Sequence, residues 1–137
     1  PASAQDLPPE ALAFAHAQFD RARNGDEQLM LYIEAGLPAN LTNDAGNTLI
    51  MLASYAGHAG LVKKLLEKGA DPNRSNDRGQ TPLAGCAFKG YAEVARILYE
   101  GGADPSLGQP NAIDTAQMFK HQDIIDLFKP AQQNGST

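Results

Sequence analysis

At 137 residues and 42% hydrophobic content, the chain is the size of one domain with a core of its own. Its apolar stretches are broken by Asn, Lys or Gly well short of a membrane span, and a net charge of −5 with a pI of about 5.0 lacks the basic surface of a nucleic-acid binder. The one cysteine, Cys86, rules out an intramolecular disulfide and fits a reducing compartment.

The chain opens on Pro1-Ala2-Ser3-Ala4, with no basic or apolar leader, although Ala2-Ser3-Ala4 has the small-x-small form of an export cleavage site. The expectation is a cytoplasmic start after loss of Met, with a periplasmic or secreted origin as the alternative. Asp6, Pro8 and Pro9 then read as the start of a first helix. Glu10, His16, Gln18, Asp20, Arg21 and Arg23 give that helix the polar outer face of an end unit.

From Asp44 onward the chain repeats itself. Residues 44–76 laid over 77–109 give 11 identities in 33, where chance gives about two. Gly46, Thr48, Gly57, Ala59, Leu65 and Gly69-Ala70-Asp71-Pro72 all recur. Upstream, Gly36 and Asn40 stand 33 residues before Gly69 and Asn73, and Gly25 stands 32 before Gly57. Downstream the helix positions match at an offset of 30, so about three residues are lost near Gly108-Gln109-Pro110-Asn111.

Each full unit predicts two short helices. Thr48 and Thr81 are N-caps, and Pro82 takes the first helical position, where its missing N–H costs nothing. Ile50 and Ala53, like Leu83 and Cys86, share one face. Gly57 and Gly90 turn the chain into a second helix whose stripe is Leu61, Val62, Leu65 and Leu66, repeated as Val94, Ala95, Leu98 and Tyr99. Ile124, Ile125 and Phe128 echo it. Gly69 and Gly102 end these helices, Pro72 and Pro105 prevent their resumption, and residues 43–46 and 76–79 form tight turns. One helix pair cannot bury its own stripe, so the pairs must stack. The expected layout is a single domain over 1–130, with units of approximately 6–43, 44–76, 77–109 and 110–129. The polar residues 131–137 form a disordered tail.

The period of 33, the opening Asp77-Arg78-Gly79-Gln80-Thr81-Pro82-Leu83 and the close Gly69-Ala70-Asp71-Pro72-Asn73 resemble the ankyrin repeat. The resemblance is strong over 44–109 and looser over 20–43 and 110–129. Three features depart from it. Leu49 stands where the family has proline, and Met51, Ala84 and Asp114 replace its histidine. Pro38 replaces the Asp of the first unit's close. The resemblance implies an all-α solenoid, an L-shaped stack of helix-turn-helix units joined by tight β-turn loops. It also implies that protein partners bind in the concave groove made by the turn tips and the first helix of each pair. His58 and His121, each just after an inter-helix turn, suit the family's structural histidine.

Two sets of residues would face that groove. The residue two before each inter-helix turn is Arg23, Tyr55, Phe88 and Met118 in successive units, with Lys120 in place of the last glycine. Tyr55, Phe88 and Met118 would line up as an apolar row, the kind of patch that marks an interaction site. The alternative folds these side chains down over the core. The turn tips Ala45, Asn47, Arg78, Gln80 and Asn111, with Lys89, would form a slightly basic rim or remain plain solvated turns.

Catalytic chemistry is not apparent. Cys86 shares its position with Ala53 and Ala116 and reads as a buried small hydrophobe. No histidines have metal-ligand spacing, no Gly-rich phosphate loop or Gly-x-Ser-x-Gly elbow occurs, and Glu67, Glu93 and Glu100 are scattered on solvent faces. The reading is therefore a non-enzymatic protein without cofactor or metal. It would be a monomeric adaptor, inhibitor or regulatory subunit that binds a protein, and neither nucleic acid nor membrane. The alternatives are a self-assembling component joined through Ile124, Ile125, Leu127 and Phe128, and an inhibitor of an exported enzyme.

Overall fold

The computed structural model describes residues 7–129. Four helix pairs follow in chain order: α1 (Pro9–Asn24) with α2 (Leu29–Glu34), α3 (Leu49–Tyr55) with α4 (Ala59–Glu67), α5 (Pro82–Lys89) with α6 (Ala92–Glu100), and α7 (Ala112–Met118) with α8 (Gln122–Leu127). The first helices form one layer, α1 on α3 on α5 on α7, and α4, α6 and α8 form the second. Leu49, Ile50, Leu61, Val62, Leu65, Leu83, Val94, Leu98 and Ile124 lie buried between them as a single core. This is the all-α solenoid that a stack of incomplete units must form to cover its stripes.

The local signals explain where each first helix begins. The Thr48 hydroxyl accepts from Met51 N–H and the Thr81 hydroxyl from Ala84 N–H. Asn111 does the same for Asp114 N–H, so a side chain read as a turn tip is also an N-cap. The turn before each helix is built on an asparagine. Asn43 Oδ1 accepts from the N–H groups of Ala45 and Asn47, and Asn76 Oδ1 accepts from those of Arg78 and Gln80. These Asx bonds occupy donors that would otherwise be unpaired at a bend.

The units are joined by contacts that repeat with the sequence. Asn40 Oδ1 accepts from Asp71 N–H at 2.7 Å while its amide donates to the Gly69 carbonyl at 3.3 Å. Asn73 repeats this one unit on, to Asp104 N–H at 2.7 Å and the Gly102 carbonyl at 3.2 Å. At the turns, His58 Nε2 donates to the Arg23 carbonyl and His121 Nδ1 to the Ala87 carbonyl, both at 2.8 Å. The rings of His58, Tyr91 and His121 lie over Gly25, Gly57 and Gly90, whose φ angles of 71°, 85° and 80° are left-handed. In the last unit Lys120 takes that conformation with φ 59°, and the side chain strains it.

One expectation for the first unit is corrected. Gln18 does not belong to a polar outer face. It lies on the buried face of α1 between Ala15, Phe19 and Ala22, where α1 packs against α3. Its amide is held there by donating to the Phe14 carbonyl at 3.2 Å. Phe14 is instead exposed, edge-on to Tyr32. Asp6, read as part of the helix start, and the tail 131–137 lie outside the described residues.

Two stability changes follow. Lys120→Gly removes about 1–2 kcal/mol of left-handed strain and returns about 0.4–1 kcal/mol of chain entropy to the unfolded state, so urea denaturation should show a net gain of up to about 1.6 kcal/mol. Asn73→Ala removes both of its side-chain bonds to the third unit and should lose about 1–2 kcal/mol in the same measurement.

Candidate functional site

The stacking of α3, α5 and α7 brings one side of three units together. Between these helices and the turn tips lies a groove of about 550 Å³. Its floor is Met51, Leu52, Tyr55, Ala84, Gly85, Phe88, Thr115, Met118 and Phe119. Its rim is Asn47, Asn76, Arg78, Gln80, Thr81 and Pro110. Tyr55, Phe88 and Met118 stand along it, one per unit, with 45%, 47% and 68% of their surfaces exposed.

Packing holds Tyr55 and Phe88 in place. Tyr55 lies against Gly85 so closely that a Cβ there would overlap its ring. Lys89 Nζ sits 4.9 Å above the centre of the same ring, a cation–π contact. Phe88 meets Phe119 edge to face, with centroids 5.0 Å apart and planes at 87°. Phe119 in turn stacks on His121, the residue that joins the last two units. The apolar surface is therefore tied to the inter-unit contacts.

The other expected residues are distributed around this site. Asn47, Arg78 and Gln80 line the groove with the aromatic row, whereas Arg23, Ala45, Lys89 and Asn111 are not among its lining residues. Arg23, on α1, pairs with Asp20 at 2.9 Å. The Ala45 carbonyl accepts from Asp77 N–H of the next turn. Asn76 Nδ2 donates to Asn47 Oδ1 at 2.9 Å and to Gln80 Oε1 at 2.8 Å, so the rim amides largely satisfy one another. Met51, Leu52, Phe119 and Pro110 are lining residues that the sequence reading did not single out. Phe119 follows Met118 directly at the end of α7, and an aromatic beside the expected row was the available signal.

Cys86 is fully buried, its thiol near the Ser54 carbonyl at 3.7 Å, and burial pushes its pKa up to about 12. A thiol so placed stays protonated at neutral pH and is a poor nucleophile. Among the described residues no three His, Cys, Asp or Glu side chains gather as a metal site, and no helix is long and apolar enough to cross a membrane.

Comparison with known proteins agrees with this architecture. The family model described as ankyrin repeats, in three copies, matches residues 19–109, more than half of the chain. A Pseudomonas aeruginosa protein named as an ankyrin repeat protein is 48% identical over 59 residues, which is 42% of this chain and 34% of that protein. The chain thus spans about a third of the length of that relative.

The state of Cys86 gives a direct check. In the native protein its thiol should resist Ellman's reagent at neutral pH and react as one equivalent per chain once concentrated guanidinium unfolds the stack. Rapid reaction of the native protein would mean that the α3–α5 contact opens readily.

Proposed function

Because the chain belongs to the ankyrin-repeat family, whose repeats are generally protein–protein interaction modules, we propose that it acts by holding a protein partner in the groove lined by Tyr55, Phe88 and Met118. The observation that carries this reading is the exposed row itself. Three large apolar side chains, one per unit, keep much of their surface in water, and packing against Gly85 and Phe119 fixes the positions of Tyr55 and Phe88. Their hydration is unfavourable until something covers them, and rigid aromatic anchors lose little entropy on being covered. Arg78, Gln80 and Asn47 would form the polar rim, with Lys89, Ala45 and Asn111 at its margin and Arg23 continuing the row onto α1. The work of such a module is binding rather than catalysis, as an adaptor, an inhibitor or a regulatory subunit, and the buried thiol fits action in a reducing cytoplasm.

Self-assembly through the last helix has less support. Ile124 is buried, and Phe128 packs edge-on against Tyr99 at 5.4 Å, so that apolar set is already engaged within the chain. A monomer is therefore the expected solution state.

The reading is tested by capture from native lysate on immobilised protein, comparing the wild type with a Tyr55→Ala/Phe88→Ala variant of matched helicity. The wild type should retain a specific band that the variant loses by about tenfold or more, the loss expected when two hot-spot side chains are truncated. Equal capture by both would move the binding surface away from the groove.

A further inference from the structure

We propose that the groove takes an acidic segment of its protein partner, a bulky apolar side chain seated among Tyr55, Phe88, Met118 and Phe119 with flanking Asp or Glu side chains on Arg78 and Lys89. The proposal rests on the groove being the binding surface and adds the chemistry of what fills it.

The argument is one of charge placement. The chain carries a net charge of −5, yet the one charged side chain among the groove's lining residues is Arg78. Elsewhere six basic side chains are matched. Arg21 pairs with Asp26, Arg23 with Asp20, Lys64 with Glu27, Lys68 with Glu34, Arg96 with Glu93 and Glu100, and Lys129 with Asp126. Among the described residues, Arg78, Lys89 and Lys120 have no such carboxylate, and neither do Lys63 and Arg74 away from the groove lining. Arg78 stands on the rim, Lys89 covers the Tyr55 ring, and Lys120 directly follows Phe119.

The nearby carboxylates form no ion pair with these cations. Asp77 lies against Gly46 of the preceding turn, where an added Cβ would overlap it. Asp44 is engaged in a contact of its own, and Asp114 sits on the first turn of α7 outside the lining. The Asn76 amide donates to the side-chain oxygens of Asn47 and Gln80. The rim's acceptor oxygens on Asn47 and Gln80 are thus occupied, and its charged donor is Arg78. A guanidinium can hold a carboxylate through two parallel bonds, more strongly than neutral groups pair. A basic segment would meet like charge at the rim. Single-stranded nucleic acid could stack on the aromatics, but it needs a basic track along its whole backbone, and this acidic chain presents only these few cations.

The test is selection from a phage-displayed random peptide library on the folded protein. A fluorescein-labelled synthetic copy of the most enriched peptide is then titrated by anisotropy, beside a counterpart with Lys in place of each Asp and Glu. Enriched peptides should combine a bulky apolar residue with flanking acids, and their affinity should fall as salt rises. Arg78→Glu/Lys89→Glu should weaken the copy about tenfold and favour the Lys counterpart. Tyr55→Ala/Phe88→Ala should abolish binding of both. Circular dichroism confirms that each variant is folded. Peptides that need Tyr55 and Phe88 but show no acidic bias and no response to charge reversal would overturn this inference and leave the groove reading standing. A library that yields no binder sensitive to Tyr55→Ala/Phe88→Ala would overturn both.

Discussion

Between the turn glycine of one unit and the ring that heads the second helix of the next there is room for little more than a hydrogen atom. Gly25 faces His58, Gly57 faces Tyr91 and Gly90 faces His121, and a side chain at any of the three would press on the ring or strain a left-handed backbone. The two histidines complete the contact by donating to carbonyls of the preceding unit. With the asparagine bonds of Asn40 and Asn73, this contact sets how far apart and at what rotation successive pairs stack. No pair could bury its stripe without that neighbour, so the core and the surface both depend on it.

The surface consequence is the groove. A constant step from unit to unit places residues of equal rank side by side, which turns Tyr55, Phe88 and Met118 from points 30 to 33 residues apart into one continuous row. Small residues on the facing helix make space for large ones. Gly85 stands where α3 has Leu52, and the Tyr55 ring fills the gap. The same regular step separates the charges. Ion pairs gather around α1, α2 and the second helices, while Arg78, the one charged residue that lines the groove, has no carboxylate partner. Architecture and recognition chemistry thus come from a single repeated contact.

Much of this was legible in the chain because a repeat encodes its own alignment. The offset of 33 located the turns, caps and stripes, and placing Tyr55, Phe88 and Met118 at one rank required only counting back from the turn. What escaped was whatever depended on the ends or on pairs of side chains. Gln18 looks like a surface residue by type and is buried by its place on a long helix packed against α3. Phe119 breaks the rank of the row and joins it only through its contact with Phe88. Asn111 serves as a helix cap, a role visible only once α7 was seen to begin beside it. That Lys89 folds over Tyr55 while Arg23 turns to Asp20 is a choice of rotamer, which spacing does not record.

The three methionines offer the most direct measurement of where binding occurs. Met51 and Met118 line the groove, and Met30 lies buried in α2 at the other end of the stack. In a carbon-13 methyl NMR spectrum of methionine-labelled protein, saturation with the captured partner should shift or broaden the Met51 and Met118 signals and leave Met30 in place. Binding that leaves Met51 and Met118 unmoved, or that moves Met30 alone, would contradict the groove as the functional surface.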